Sequence, residues 1–250
     1  MKSICFMPVF NQIRELPRVL AELAATDLPC DTMLLVNNGS TDGSAELVRT
    51  SGYPFIDLPA NRGVGYSYIL ALDWALERNY ELFSAIASNG KMLPSEMHRV
   101  MEPVLSARAD YVTGSRFLAG GQSPNLPNFR RRSIPMVNQF VRAITGARLT
   151  DATCGYRAFR LDLLHRATFD WHAESLYGYG VEYYLYAKIV LDGQLRYTEV
   201  PVTMRYPPAG QRYSHIKPLS GWYDMLKPWI VARLDRKGFS PSDQSEQHAS

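Results

Sequence analysis

Met33-Leu34-Leu35-Val36-Asn37-Asn38-Gly39-Ser40-Thr41-Asp42-Gly43-Ser44 joins a short apolar run to a stretch made entirely of turn and capping residues. That abrupt change is the pattern of a buried strand handing over to a helix. Outward from it, Ile4 to Phe10 is a second apolar run, followed by Ile13, Leu16, Val19, Leu20 and Leu23 on one face of a helix. Phe55 to Leu58, Leu82 to Ala87 and Asp110 to Thr113 read as further short strands, separated by helical patterns over Val64 to Leu76 and Pro94 to Leu105. Such alternation predicts an α/β fold, a doubly wound, mostly parallel sheet with helices on both faces. Ligands in open sheets of this kind bind beyond the carboxyl ends of the strands. Asn37 to Ser44 falls there, although Gly, Asn, Asp and Ser are also the residues of any tight strand-to-helix connection.

The chain has 250 residues, 46% hydrophobic and 20% charged, enough to bury one full core. A net charge of +3 argues against an overwhelming field for nucleic acid, and no nucleic-acid-binding motif is present. Cys5, Cys30 and Cys154 are odd in number with no Cys-x-x-Cys spacing, which fits a reducing compartment. Neither a signal peptide nor an apolar run long enough to cross a bilayer is seen, so the expected location is cytoplasmic, with peripheral contact at the inner membrane face as the extension. The expected organisation is a catalytic domain over 1–217, an amphipathic helical segment over 218–237 and a disordered tail over 238–250.

Several segments occur in a telling order: Met7-Pro8-Val9-Phe10-Asn11, Val36 to Gly43, Asn61-Arg62-Gly63-Val64-Gly65, and Gly90 to Glu96. Together they resemble the family 2 glycosyltransferases of the GT-A fold. Gly114-Ser115-Arg116-Phe117, Asp151 to Arg160, Gly180-Val181-Glu182 and Glu199 to Thr203 are similar to the dolichyl- or polyprenyl-phosphate sugar transferase branch. The resemblance implies an enzyme that binds a nucleotide diphosphate sugar and moves the sugar, with inversion, to an acceptor. It implies that Pro8, Phe10 and Gln12, then Asn37 and Asn38, hold the base and ribose, with Asn61, Arg62 and Gly63 lining the same pocket. An aromatic face stacks on a base and an amide pairs with its edge, though Phe10 also suits ordinary core.

The departures from the family pattern are correlated. An acid after Asn11, two acids at Asn37 and Asn38, and an Asp-Ala-Asp triplet at Ala87-Ser88-Asn89 are all expected of the family, and every carboxylate is missing. Mg²⁺ or Mn²⁺ relies on one or two such carboxylates plus the substrate phosphates, so the usual metal site is not expected and no cofactor is assigned. The leaving diphosphate still needs positive charge. Lys91, next to Ser88, Asn89 and Gly90, is the expected replacement, the alternative being a solvated loop lysine in an inactive, nucleotide-sugar-binding subunit.

Arg116, Arg130 and Arg131 are implied to grip the acceptor phosphate, since a guanidinium fork holds two phosphate oxygens. They fall in or around Leu118 to Arg132, which reads as a mobile loop. Arg205 and Arg212 are the candidates for a final loop that closes over the diphosphate. An ionised phosphate acceptor needs no base, whereas a hydroxyl of a soluble metabolite or glycan does. Asp151 and Glu182 are the available acids, with structural roles open to both: a loop cap for Asp151, a partner of Arg157 for Glu182. Residues 218–237 combine Trp222, Trp229, Leu226, Ile230 and Leu234 with basic residues. They suit a membrane interface, or equally docking on the domain, on a second subunit or on a membrane partner.

Overall fold

Apolar runs with no polar face have to be covered on both sides, and the computed structural model shows how. It describes residues 1–178, 180–208 and 220–240, with the side chains of 220–222 left aside. In chain order the elements begin β1 (Ser3–Val9), α1 (Leu16–Ala24), β2 (Thr32–Asn38), α2 (Ser44–Arg49), β3 (Phe55–Leu58), α3 (Val64–Leu76) and β4 (Leu82–Ala85). They continue α4 (Met97–Leu105), β5 (Tyr111–Ser115), α5 (Asn128–Thr145), β6 (Arg157–Arg160), α6 (Asp162–Arg166), α7 (Gly180–Asp192), β7 (Tyr197–Pro201) and α8 (Ser220–Leu234).

The strands form one sheet of seven in the order β3-β2-β1-β4-β6-β5-β7. All pairings are parallel except those of β6, which runs antiparallel to both β4 and β5. β1 has β2 on one side and β4 on the other, so the strand order reverses there and a crevice opens beyond their carboxyl ends. The period-2 alternation within β1 feeds two cores. Ile4 and Phe6 pack with Tyr68 of α3, Tyr186 of α7 and Trp229 of α8, while Cys5 and Met7 pack with Val19, Leu23, Met101 and Tyr156 on the other face.

Two segments differ from expectation. Arg157-Ala158-Phe159-Arg160, which the apolar patterning does not mark as a strand, is β6, and Arg157 is wholly buried in it. Residues 118–132 are not a free loop. Gln122 N donates to Val202 O and Tyr206 N to Pro124 O, which fastens the first part along the chain after β7. From Asn128 onward the segment is already α5, anchored by buried Ile134, Val137 and Val141.

Within the stretch 218–237, α8 packs one side on the domain through Met225, Trp229 and Ala232. Lys188 Nζ on α7 donates to Asp235 O at 2.7 Å and Lys237 O at 2.6 Å, clamping the far end of the helix. No helix among the described residues is long and apolar enough to cross a membrane.

Candidate active site

The crevice at the strand reversal is a cavity of about 570 Å³. Pro8 and Phe10 leave the end of β1 into it, Gln12 follows, and Asn38 closes β2 at its edge. Ser88, Asn89 and Lys91, from the turn after β4, form the next wall. Arg116 after β5, Arg130 on α5 and Glu182 on α7 add charged groups to the lining.

The donor-side amides are tied to one another. Asn38 Nδ2 donates to Asn61 Oδ1 at 3.1 Å, Asn38 Oδ1 accepts from Arg62 N at 3.0 Å, and Asn61 Oδ1 accepts from Gly63 N at 2.8 Å. Asn61 and Gly63 line the cavity; Arg62 turns away and stacks on Tyr66, 4.3 Å from the ring centre. Asn37 lies behind the wall, donating to Asp57 Oδ1 at 2.6 Å and accepting from Ser40 N, so it shapes the turn. The glycines beside it serve the protein's own backbone. A Cβ on Gly63 would lie 2.2 Å from Tyr177 O and one on Gly65 2.0 Å from Leu176 O. Gly65 N and Tyr66 N donate to Gly178 O and Tyr177 O, so the amino end of α3 is capped internally.

The wall after β4 offers few donors for a metal. Ser88 Oγ gives its proton to Pro8 O at 2.6 Å, and Asn89 Oδ1 accepts from Lys91 N at 3.2 Å. Among the described residues no group of three His, Cys, Asp or Glu side chains could hold a metal ion. Gly90, at φ +68°, turns the chain beneath Arg18 and brings Lys91 round into the cavity. Lys91 is 8% exposed, its Nζ 5.7 Å from the centre of the Tyr206 ring. Burial, followed by the Arg130 and Arg116 charges, brings its pKa down to about 7.

Arg116 is the fixed cation of the site. Its Nε and Nη2 each reach an Asp151 oxygen at 2.6 Å, Nη2 also donates to Thr153 Oγ1, and Nη1 donates to the Tyr206 hydroxyl. Burial opposes its charge, but Asp151 outweighs burial and its pKa is raised. Asp151 is fully buried, off the cavity wall, and its backbone N is held by Glu199 Oε1 at 2.9 Å. Its environment is that of a group that positions Arg116, which is a different place from the acceptor-facing one expected of it.

Glu182 does face the cavity. Its Oε1 sits 3.2 Å from Arg157 Nη1 without an aligned hydrogen bond, and burial raises its pKa against the opposing pull of Arg157. Arg205 points the other way from Met204 and Tyr206, which line the cavity, and its Nη2 donates to Glu22 Oε2 on α1 at 2.6 Å. Arg131 is exposed beside the site, Gly90 acts through the turn, and Arg212 lies outside the described residues. Sequence reading missed Tyr206, Thr153, Tyr183 and Asp224, all cavity-lining. Thr153 sits inside the Asp151 to Arg160 motif and could have been taken from it; no short motif marks Tyr206, Tyr183 or Asp224, which the fold brings to the mouth from the chain after β7, from α7 and from α8.

Residues 4–167 match the model of Glycosyl transferase family 2. The chain belongs to glycosyl transferase family 2. It is 31% identical over 208 residues to an undecaprenyl-phosphate mannosyltransferase of Micrococcus luteus, covering 81% of this chain and 83% of that one. It is 28% identical over 242 residues to a polyprenol monophosphomannose synthase of Mycolicibacterium smegmatis, covering 94% and 89%. Among solved structures, glucosyl-3-phosphoglycerate synthase of Mycobacterium tuberculosis with Mn²⁺, UDP and glucosyl-3-phosphoglycerate superposes with a TM-score of 0.64 at 18% identity, over 96% of this chain and 81% of that one. That likeness establishes the GT-A architecture.

Proposed function

We propose that this glycosyltransferase moves a sugar, with inversion, from a nucleotide diphosphate sugar to a polyprenyl phosphate, and that Lys91 stands in for a divalent cation at the leaving diphosphate. The polyprenyl acceptor is supported by the names of both relatives, over four-fifths or more of the chain. The observation that carries the rest is the charge of the cavity. Its wall after β4 presents Lys91 in place of carboxylates, beside Arg130 and an Arg116 paired with Asp151, while the acids Glu182 and Asp224 stand on α7 and α8.

The chemistry follows from those charges. An ionised phosphate oxygen of the acceptor attacks the anomeric carbon while the bond from that carbon to the diphosphate oxygen breaks. No proton has to move, so no general base is needed, in keeping with Asp151 being sealed behind Arg116. Negative charge gathers on the departing diphosphate, where a buried ammonium is worth more than in water. An incoming diphosphate also raises the Lys91 pKa and draws a proton onto it. In this reading Arg116, held by Asp151, Thr153 and Tyr206, and Arg130 from α5 are the cations offered to the acceptor phosphate; their presence on the cavity wall supports it. Pro8, Phe10, Gln12, Asn38 and Asn61 form the donor side.

The test is incubation of the full chain with GDP-, UDP- and dTDP-sugars, GDP-mannose first, and a short-chain prenyl phosphate in EDTA, with products read by mass spectrometry. A prenyl phosphate carrying one hexose supports the reading. Binding of nucleotide sugar with no product on any phosphate or hydroxyl acceptor, with or without Mn²⁺, would instead describe a non-catalytic binding subunit.

A further inference from the structure

Exposed apolar side chains are unevenly spread over this molecule. Of eleven large hydrophobic residues left exposed among those described, Phe129 and Met136 lie on α5 and Tyr223, Ile230, Val231 and Leu234 on α8. These two helices pack against each other. On α8 the docked residues are Met225, Trp229 and Ala232, whereas Tyr223, Lys227, Ile230 and Leu234 recur at the same helical spacing on the opposite side. A helix apolar on both sides is ordinarily covered on both. Here one side is docked and the other is bare.

We propose that the outward faces of α5 and α8 form one docking surface for an anionic lipid bilayer, held at the mouth of the cavity. It rests on the polyprenyl-phosphate reading for its purpose. Three observations select a bilayer over a second copy of this chain. The surface is rimmed with positive charge: α5 carries Arg130, Arg131, Arg132 and Arg142 with no acid, and α8 adds Lys227 and Arg233 against Asp224 alone. Two such faces repel each other, while anionic headgroups attract both. The same helices flank the site, Arg130 and Asp224 being cavity-lining, so a lipid chain attached to a bound phosphate leaves the cavity where the apolar face begins. The face is also rigid. The Lys188 clamp and the bond from the Tyr184 hydroxyl to Asp235 Oδ2 hold α8 to α7, so the helix meets a membrane without leaving the domain. Interfacial helices of this character sink their apolar side below the headgroups while basic residues stay at headgroup level.

The experiment is flotation of the full chain, without donor, on vesicles of equal phosphatidylglycerol and phosphatidylcholine and on pure phosphatidylcholine. The comparison variant combines Met136→Glu, Ile230→Glu and Leu234→Glu, none of them cavity-lining, with folding checked by circular dichroism. The wild type is expected to bind the anionic vesicles at least tenfold better than either the triple variant on the same vesicles or itself on the neutral ones. Lys227→Glu with Arg233→Glu, which leaves the apolar residues untouched, is expected to weaken binding to the anionic vesicles alone. Activity on long-chain polyprenyl phosphate in vesicles should fall about tenfold in the triple variant, with activity on a water-soluble short-chain prenyl phosphate unchanged. Wild type that ignores anionic vesicles, or a folded triple variant that binds them equally, overturns the proposal. A wild-type dimer that the triple variant dissociates, with no vesicle binding, assigns the face to a second copy and also overturns it. If the wild type transfers to neither prenyl phosphate, the functional reading fails, yet the flotation result still decides the surface.

Discussion

Replacing Lys91 by methionine should abolish a pH dependence of donor binding that the wild type must show. The side chain is buried, with Arg130 and Arg116 near it, and its pKa is brought down to about 7. A nucleotide diphosphate sugar has both phosphates fully ionised above neutrality, so only the protein titrates. If the donor binds the site with Lys91 charged, its apparent dissociation constant is the intrinsic one divided by the charged fraction. That fraction is about one-half at pH 7, about one-eleventh at pH 8 and about one-hundredth at pH 9. Binding should therefore weaken about 50-fold between pH 7 and pH 9, about 2.3 kcal/mol, with uptake of about 0.9 proton at pH 8. Of the described groups that share the cavity with Lys91, Arg116 stays charged and burial pushes the Tyr206 hydroxyl above its ordinary value, while burial also raises Glu182, so the same titration in Glu182→Gln separates its contribution. Calorimetric titration in EDTA, in two buffers of different ionisation heat, reads both the affinity and the proton count. Lys91→Met should bind weakly at every pH with no proton uptake. A wild-type affinity flat within twofold from pH 7 to 9, or a slope that survives in Lys91→Met, would refute the assignment.

Further outcomes follow from the same geometry. Lys91 holds fewer protons folded than unfolded between pH 7 and about 10, so the ligand-free protein should gain stability as pH rises through that window, and the advantage of Lys91→Met in thermal melts should shrink with it. Asp151→Asn leaves a buried Arg116 without its counter-charge and should cost about 3–5 kcal/mol in denaturant titration, with activity lost on phosphate as well as hydroxyl acceptors. Gly63→Ala drives a Cβ into Tyr177 O at a φ of +92°, so both the melting temperature and donor affinity should fall. Trp229→Ala should cost about 3–5 kcal/mol, because the ring is 1% exposed and fills the seat of α8.

How far the sequence could be read depended on whether a residue acts along its own element or across the fold. β3 and α3 fall where periodicity puts them, at Phe55–Leu58 and Val64–Leu76, because their patterns are local. β6 was hidden because two of its four residues are arginines, and the groups that hold Arg157 in the core include Glu182, 25 residues away in sequence, and the rings of Tyr183 and Tyr186. Arg130 looked like part of a loop because Gly and Pro precede it; the buried Ile134, Val137 and Val141 that hold α5 come after it. Phe10, Asn38 and Lys91 could be placed at the site because each ends or follows a strand at the sheet's reversal point. Side-chain direction was not legible. Arg205 sits between Met204 and Tyr206 in the chain beyond β7, and it reaches out to Glu22 while both neighbours face the cavity. Asp151 likewise looks like an available acid until Arg116 and Glu199 are seen to enclose it.

The most direct measurement is the single-turnover rate of sugar transfer to a short-chain prenyl phosphate in excess EDTA, compared with the same mixture supplied with Mn²⁺ or Mg²⁺. Catalysis by Lys91 in place of a cation predicts equal rates in all three, and a fall of at least a hundredfold in Lys91→Met. A rate that appears only when Mn²⁺ or Mg²⁺ is added would contradict it.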